Sequence, residues 1–158
     1  MCARTRLLYL NSPAATCALA GRLAPALGAG DVLLLSGPVG AGKTHFARGL
    51  IRALTAPDEE VPSPTYTLVQ SYPGRAAEIW HADLYRLSTP AEIVELGLLE
   101  AFETAIVLVE WPDRLAEMAP PTALSLEFAQ GAAEESRSIT LHWSDPRWSA
   151  LMDAIPDA

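Results

Sequence analysis

Asp31-Val32-Leu33-Leu34-Leu35-Ser36-Gly37-Pro38-Val39-Gly40-Ala41-Gly42-Lys43-Thr44 is the stretch on which the fold of this 158-residue chain turns. Its last eight residues satisfy the pattern GxxxxGK[ST], a loop whose backbone N–H groups and lysine cradle phosphates. The setting gives the match its weight. Asp31 to Ser36 reads as a buried parallel strand, and Thr44 to Leu54 as a helix with Phe46, Leu50 and Leu54 at helical spacing. Strand, glycine-rich turn and helix set the unpaired amides of a helix N-terminus against an anion. Gly37, Gly40 and Gly42 permit positive φ and close approach of backbone to ligand. Lys43 is the only lysine in the chain, and it stands where a compact positive charge reaches β- and γ-phosphate oxygens. The Thr44 hydroxyl is placed to ligate Mg²⁺. The competing reading is a glycine-rich turn that only joins strand to helix; strand, loop and helix in register argue against it.

The length fits one domain over 1–158, large enough to bury about two-thirds of its unfolded surface without metals or disulfides. Half the residues are apolar and the mean hydropathy is slightly positive, yet no run approaches the length needed to cross a bilayer. Leu7 to Leu10 is too short for a signal-peptide core and Asn11 follows at once, so a cytoplasmic protein is expected. Cys2 and Cys17 are read as reduced thiols, with Cys17 a small packed residue on a helix. A net charge of −8 argues against gripping nucleic acid by phosphate neutralisation, so any role near RNA is indirect.

Outward from the loop, Ser12-Pro13 reads as the N-cap and first turn of a helix with Leu19, Leu23 and Leu27 on one stripe, ended by Gly28 and Gly30. Pro57 to Pro64 is an exposed, semi-rigid loop. Thr65 to Tyr72 and Ala77 to Asp83, joined through Pro73-Gly74, form an expected antiparallel hairpin. Thr89-Pro90-Ala91-Glu92 is a capping box that starts a helix toward Gly97, and Leu98 to Phe102 adds a further helical turn. Ala105 to Val109 is a wholly apolar run, the mark of a strand buried on both faces. Leu124 to Phe128 and Ser138 to Trp143 are later strands, and Pro146 to Ile155 closes as a helix. The alternation predicts an α/β three-layer sandwich with a mixed, largely parallel central sheet, a P-loop NTPase-like fold.

A phosphate loop needs a second metal-directed carboxylate at the C-terminal edge of a buried neighbouring strand. Glu110 is the candidate, directly after the apolar run and one methylene longer than the usual Asp. The competing reading is a strand-end acid facing solvent. His81-Ala82-Asp83-Leu84-Tyr85-Arg86 is a second cluster: Asp83 for the metal shell or the attacking water, His81 for hydrogen-bonding support, Arg86 for a phosphate or a partner's carboxylate. Against this stands an Asp–Arg pair on a surface turn. Trp111 either packs under the site or contacts nucleotide.

In five ordered blocks, LLLSGPVGAGKT, VPSPTYTLV, HADLYRL, EIVELGLLEAF and IVLVEWPDR, the chain from Val32 to Phe128 resembles the TsaE family, also known as YjeE. SPTYTLV, HxDLYRL and VEWP in this order are specific to it, whereas the loop is shared by many families. The resemblance implies a P-loop ATPase of tRNA threonylcarbamoyladenosine biosynthesis that works with the TsaB and TsaD proteins, which transfer threonylcarbamoyl to adenosine in tRNA. By motif, Gly37, Val39, Gly40, Ala41, Gly42, Lys43, Thr44 and His45 would hold ATP, with Thr44 and Glu110 on Mg²⁺ and Lys43, Asp83 and Glu110 as catalytic residues. Thr65 and Thr67 would sense the γ-phosphate, and Arg137 and the segment Ser12 to Thr16 would line the adenine side. Two departures stand out: Ala82 replaces a bulky aromatic, and Pro38-Val39 changes the crown of the loop; neither touches a charge.

Three other classes compete. A GTPase needs an Asn-Lys-x-Asp motif, and no lysine remains for it. A small-molecule kinase brings a lid of arginines, whereas Arg75, Arg86, Arg114 and Arg137 are scattered. A nucleotide-gated scaffold whose hydrolysis is only a timer differs from the ATPase mainly in coupling.

Overall fold

The computed structural model describes residues 3–156. Seven strands, β1 (Arg4–Leu10), β2 (Val32–Ser36), β3 (Val69–Pro73), β4 (Glu78–Asp83), β5 (Ile106–Glu110), β6 (Leu124–Gln130) and β7 (Arg137–Trp143), form one sheet in the order β1-β7-β6-β2-β5-β4-β3. The inner pairs β6–β2, β2–β5 and β5–β4 are parallel; β1–β7, β7–β6 and β4–β3 are antiparallel. Strands β1, β6, β2, β5 and β4 therefore point one way, and only the hairpin partners β7 and β3 oppose them. The expected mixed, largely parallel sheet is what forms.

Helices α1 (Pro13–Leu23), α2 (Lys43–Leu54), α3 (Pro90–Glu95), α4 (Leu98–Thr104) and α5 (Pro146–Ala154) supply the outer layers. Alternation along the strands sorts the core into two clusters. Leu33, Leu35, Ile106 and Leu108 pack with α1, α2 and α5, while Val32, Leu34, Val107 and Val109 pack with α3 and α4. This is why β2 and β5 read as unbroken apolar runs: each residue of the pair of strands meets a helix layer on one face or the other. Among the described residues no helix is long and apolar enough to cross a membrane.

Local signals set several boundaries. Ser12 caps α1 by accepting the Ala15 N–H at 3.2 Å, with Pro13 in the first turn. The helix gives way after Leu23 to a 3-10 turn, Ala24–Ala26, because Pro25 has no N–H to continue it, so it stops short of Gly28. Thr65 to Leu68 does not extend the hairpin. Leu68 adopts φ 69°, its N–H bonds Pro64 O, and the first strand begins at Val69. The capping box at Thr89 is also revised: its hydroxyl donates to Glu92 Oε1 at 3.0 Å and makes no bond to a helix amide. The exposed carboxylate, a charged acceptor, takes this hydroxyl and that of Ser88, which holds Glu92 below the usual carboxylate range. Cys17 is on α1 but exposed, since Thr16, Leu19, Ala20 and Leu23 form the buried stripe; Cys2 lies outside the described residues. Strand β1 adds to the expected elements: Leu8 and Leu10 are buried between exposed Leu7 and Tyr9, with the period of two that marks a strand.

Gly37 has a reason the sequence did not disclose. Its φ is 132°, and a Cβ there would lie 2.4 Å from the carbonyl oxygen of Phe128 on β6. The missing side chain lets the loop leave β2 against its neighbour. Gly37→Ala is expected to lower unfolding free energy by about 3 kcal/mol, from positive-φ strain together with overpacking. Urea denaturation with an unchanged midpoint would contradict this close approach.

Candidate functional site

The loop after β2 and the ends of β4 and β5 meet at one edge of the sheet, above the N-terminus of α2. Parity brings the acids together. His81 and Asp83 on β4 and Glu110 on β5 share the face that carries Ile79, Ile106 and Leu108, the α2 face, and Asp83 pairs in register with Glu110. All three are almost wholly buried, as is Lys43 at 5 % exposure.

No side chain caps α2. Its N-cap is Gly42 at φ 103°, so the first-turn amides of Lys43, Thr44 and His45 have no side-chain acceptor and suit an anion. Thr44 Oγ1 donates to the Glu110 carboxylate, 2.9 Å from Oε1 and 3.2 Å from Oε2. His81 Nε2 lies 2.7 Å from Glu110 Oε2, and His81 Nδ1 is buried with no partner among the described residues. The Lys43 ammonium donates to Gly37 O and rests 3.6 Å from the centre of the Trp111 ring, a cation–π contact. Burial pulls Lys43 below the ordinary lysine value, and the charges of Glu110, Asp83 and Asp113 offset part of that.

Trp111 reaches Lys43 through an uncommon backbone: φ 58°, ψ 54°, a left-handed conformation that costs a bulky residue of order 1–3 kcal/mol. Its ring also packs against Tyr85, tilted by 51° with 4.7 Å between centroids. Asp83 Oδ1 accepts the Tyr85 N–H at 3.0 Å, and the Thr65 hydroxyl lies 3.5 Å from Oδ2. The segment before β3 is thereby tied to β4. From the other side, Arg137 on β7 donates to Gly40 O at 3.3 Å and to the carbonyls of Glu134 and Ser136, bracing the crown of the loop.

These groups surround a cavity of about 560 Å³. Val39, Gly40, Gly42, Lys43, Thr44 and His45 line it from the loop and α2, and Thr65, Asp83, Glu110 and Arg137 from the rest of the sheet edge. Ser63, Tyr85 and Trp111 complete the wall. Two expected ligand residues stand outside it: Gly37 is pressed on Phe128, and Ala41 is 1 % exposed, packed into the core. Thr67 is drawn away as well, since its hydroxyl accepts from Gln70 Nε2 at 2.9 Å. Arg86 lies over the Tyr66 ring, outside the cavity. None of Ser12 to Thr16 lines the cavity; Pro13 O accepts from the ring of His45, which does, at 3.1 Å.

The hydroxyl of Thr44 and the carboxylate of Glu110 are adjacent oxygen groups beneath the cavity, of the kind that suits Mg²⁺, which takes one or two carboxylates and completes its shell with water and phosphate oxygens. Among the described residues no group of three His, Cys, Asp or Glu forms a ready metal cage. The His81–Glu110 bond is not readable from the sequence, although the even spacing of His81 and Asp83 along β4 signals that both share one face.

A family model described as threonylcarbamoyl adenosine biosynthesis protein TsaE matches residues 10–139. The chain belongs to the TsaE family. A TsaE of Rickettsia conorii is 36% identical over 151 residues, covering 94% of this chain and 86% of that protein. A TsaE of Mycobacterium tuberculosis (strain ATCC 25618 / H37Rv) is 36% identical over 138 residues and covers 81% of each. Both bear the name tRNA threonylcarbamoyladenosine biosynthesis protein. The crystal structure of Bacillus subtilis YdiB superposes with a TM-score of 0.77 at 26% identity, covering 97% of this chain and 95% of that one. The protein is thus a TsaE family member of tRNA threonylcarbamoyladenosine biosynthesis, with the mixed α/β fold of that structure.

Proposed function

We propose that the chain is a Mg²⁺-dependent ATPase, one P-loop domain whose ATP hydrolysis supports the TsaB–TsaD heterodimer in transferring threonylcarbamoyl to adenosine of tRNA, in the cytoplasm. The observation that carries this reading is the convergence of the Lys43 ammonium, the Thr44 hydroxyl and the Glu110 carboxylate at an uncapped helix N-terminus beneath a cavity of about 560 Å³. The amides of Gly40, Gly42, Lys43, Thr44 and His45 bind the triphosphate, and Lys43 leaves Trp111 to meet its β- and γ-oxygens. Thr44 and Glu110 would hold Mg²⁺, which would supply neutralisation of the phosphate charge. Asp83 orients the attacking water, Thr65 responds to the γ-phosphate, and Arg137 lies toward the adenine side.

The arginines favour hydrolysis over phosphoryl transfer to a metabolite. Arg137 alone among them lines the cavity of the described residues. Arg75 donates to Ala53 O, Arg114 to Tyr85 O, and Arg86 covers Tyr66, so no clamp of guanidiniums closes on the site. Contact with tRNA is indirect, through the complex, as the net charge of −8 suggests.

The test is to assay ATP and GTP hydrolysis with and without TsaB–TsaD while reading threonylcarbamoyl transfer to tRNA. ATP-selective turnover stimulated by the pair is expected; phosphorylation of an added metabolite would reject the ATPase. The segment Ser63 to Thr67 is anchored on Asp83 at the cavity wall, and γ-phosphate contact there links ligand state to a surface carrying exposed Tyr66 and Tyr85. Affinity for TsaB–TsaD is expected to be about 5- to 150-fold higher with an ATP analogue than with ADP, the usual span of such coupling. Equal affinities would reject it.

A further inference from the structure

His81 is fully buried in the sheet, paired in register with Leu108 on β5 and Gln70 on β3, and among the described residues one of its ring nitrogens has no hydrogen-bond partner. A bare buried acceptor is destabilising, and an apolar side chain of similar size would avoid that cost. Stability therefore does not account for an imidazole at this place. Among the described residues its single polar side-chain contact is Nε2 to Glu110 Oε2 at 2.7 Å. A carboxylate accepts, so the ring proton belongs on Nε2 and Nδ1 is the bare nitrogen.

We propose that His81 is a positioning residue for Glu110: its Nε2–H fixes Oε2 and so presents Oε1 to the Thr44 hydroxyl, on the side where Mg²⁺ would be held. The inference rests on the hydrolysis reading and adds the group that prepares its metal ligand. Glu has one more rotatable bond than the Asp usual at such a strand end, and an unanchored carboxylate would have to lose that freedom on binding. The anchor removes it beforehand. Thr44 Oγ1 is closer to Oε1 than to Oε2, 2.9 against 3.2 Å, as expected when the second oxygen is already engaged. Groups that hold metal-binding carboxylates in this way typically matter about 10- to 100-fold for metal affinity.

The experiment compares wild type, His81→Leu and His81→Gln by titrating Mg²⁺ into each protein with a non-hydrolysable ATP analogue, and follows thermal unfolding in parallel. His81→Leu is expected to unfold no earlier than wild type while needing about 10- to 100-fold more Mg²⁺ to tighten the analogue. His81→Gln, whose amide still donates, is expected to stay within a few-fold of wild type. A wild-type Mg²⁺ requirement in His81→Leu, or equal losses in both variants, would overturn the proposal. Nitrogen-15 spectra of the wild-type imidazole decide it independently of folding in either variant: a proton on Nε2 supports it, whereas a ring protonated on Nδ1 alone overturns it. Wild-type protein that binds no nucleotide would instead reject the hydrolysis reading, and the tautomer would still judge the His81–Glu110 bond.

Discussion

Lys43→Ala is expected to abolish detectable ATP turnover and to weaken nucleotide binding by roughly 10- to 150-fold, the equivalent of a lost charge-assisted hydrogen bond worth about 1.5–3 kcal/mol. No other side chain can take the place of this ammonium. It is the chain's only lysine, and the one arginine on the cavity wall is committed to the carbonyls of Gly40, Glu134 and Ser136. The fold should survive, because the ammonium is held at a desolvation cost that lowers its pKa despite three carboxylates nearby. Lys43→Met, which keeps the length and the contact with Trp111, separates the two effects: thermal stability close to wild type, with turnover still absent. Calorimetric titration with an ATP analogue and a phosphate-release assay check both, and near-normal turnover in either variant would remove Lys43 from the mechanism.

Glu110→Ala produces a different defect. Two donors, Thr44 Oγ1 and His81 Nε2, lose their shared acceptor inside a nearly dry strand end. Hydrolysis is expected to fall about 10²- to 10³-fold, the scale found when one preorganised electrostatic contact is removed from a reaction centre. Nucleotide should still bind, since the loop amides and Lys43 remain, but Mg²⁺ should no longer tighten it. Binding measured with Mg²⁺ and with a chelator would then coincide. Intact Mg²⁺-dependent turnover in Glu110→Ala would reject the assignment. Together the two variants divide the site: Lys43 acts on binding and turnover, Glu110 on metal dependence and turnover.

Much of this was legible in the chain. The loop, its strand and its helix are contiguous, so their signals are local: an apolar run, three glycines, one lysine, then Phe46, Leu50 and Leu54 on a buried stripe. Glu110 and Asp83 could be singled out because each ends a strand at the sheet edge where a phosphate loop calls for a second carboxylate. Misreadings came where local chemistry had two outlets. Thr89 could cap a helix or bond Glu92, and the charged acceptor won. Thr65 to Leu68 has strand propensity, yet a left-handed Leu68 ends the strand so that its carbonyl can receive the Asp83 N–H. Cys17 looked like a small core residue, and only the register of the helix turned it outward. Trp111 gave no sequence sign of its left-handed backbone.

By itself the sequence determined the glycine-rich loop between β2 and α2, the two strands buried on both faces and the acids that end β4 and β5, because each depends on residues within a few positions of one another. What only the tertiary structure decided are the partners: Thr44 with Glu110 across 66 residues, His81 with Glu110 across 29, Lys43 beneath Trp111, and Gly37 against Phe128. Those contacts depend on strand order and on the side of the sheet each residue faces. Pairing between distant strands sets both, and no periodicity within one segment encodes which strand will lie beside it.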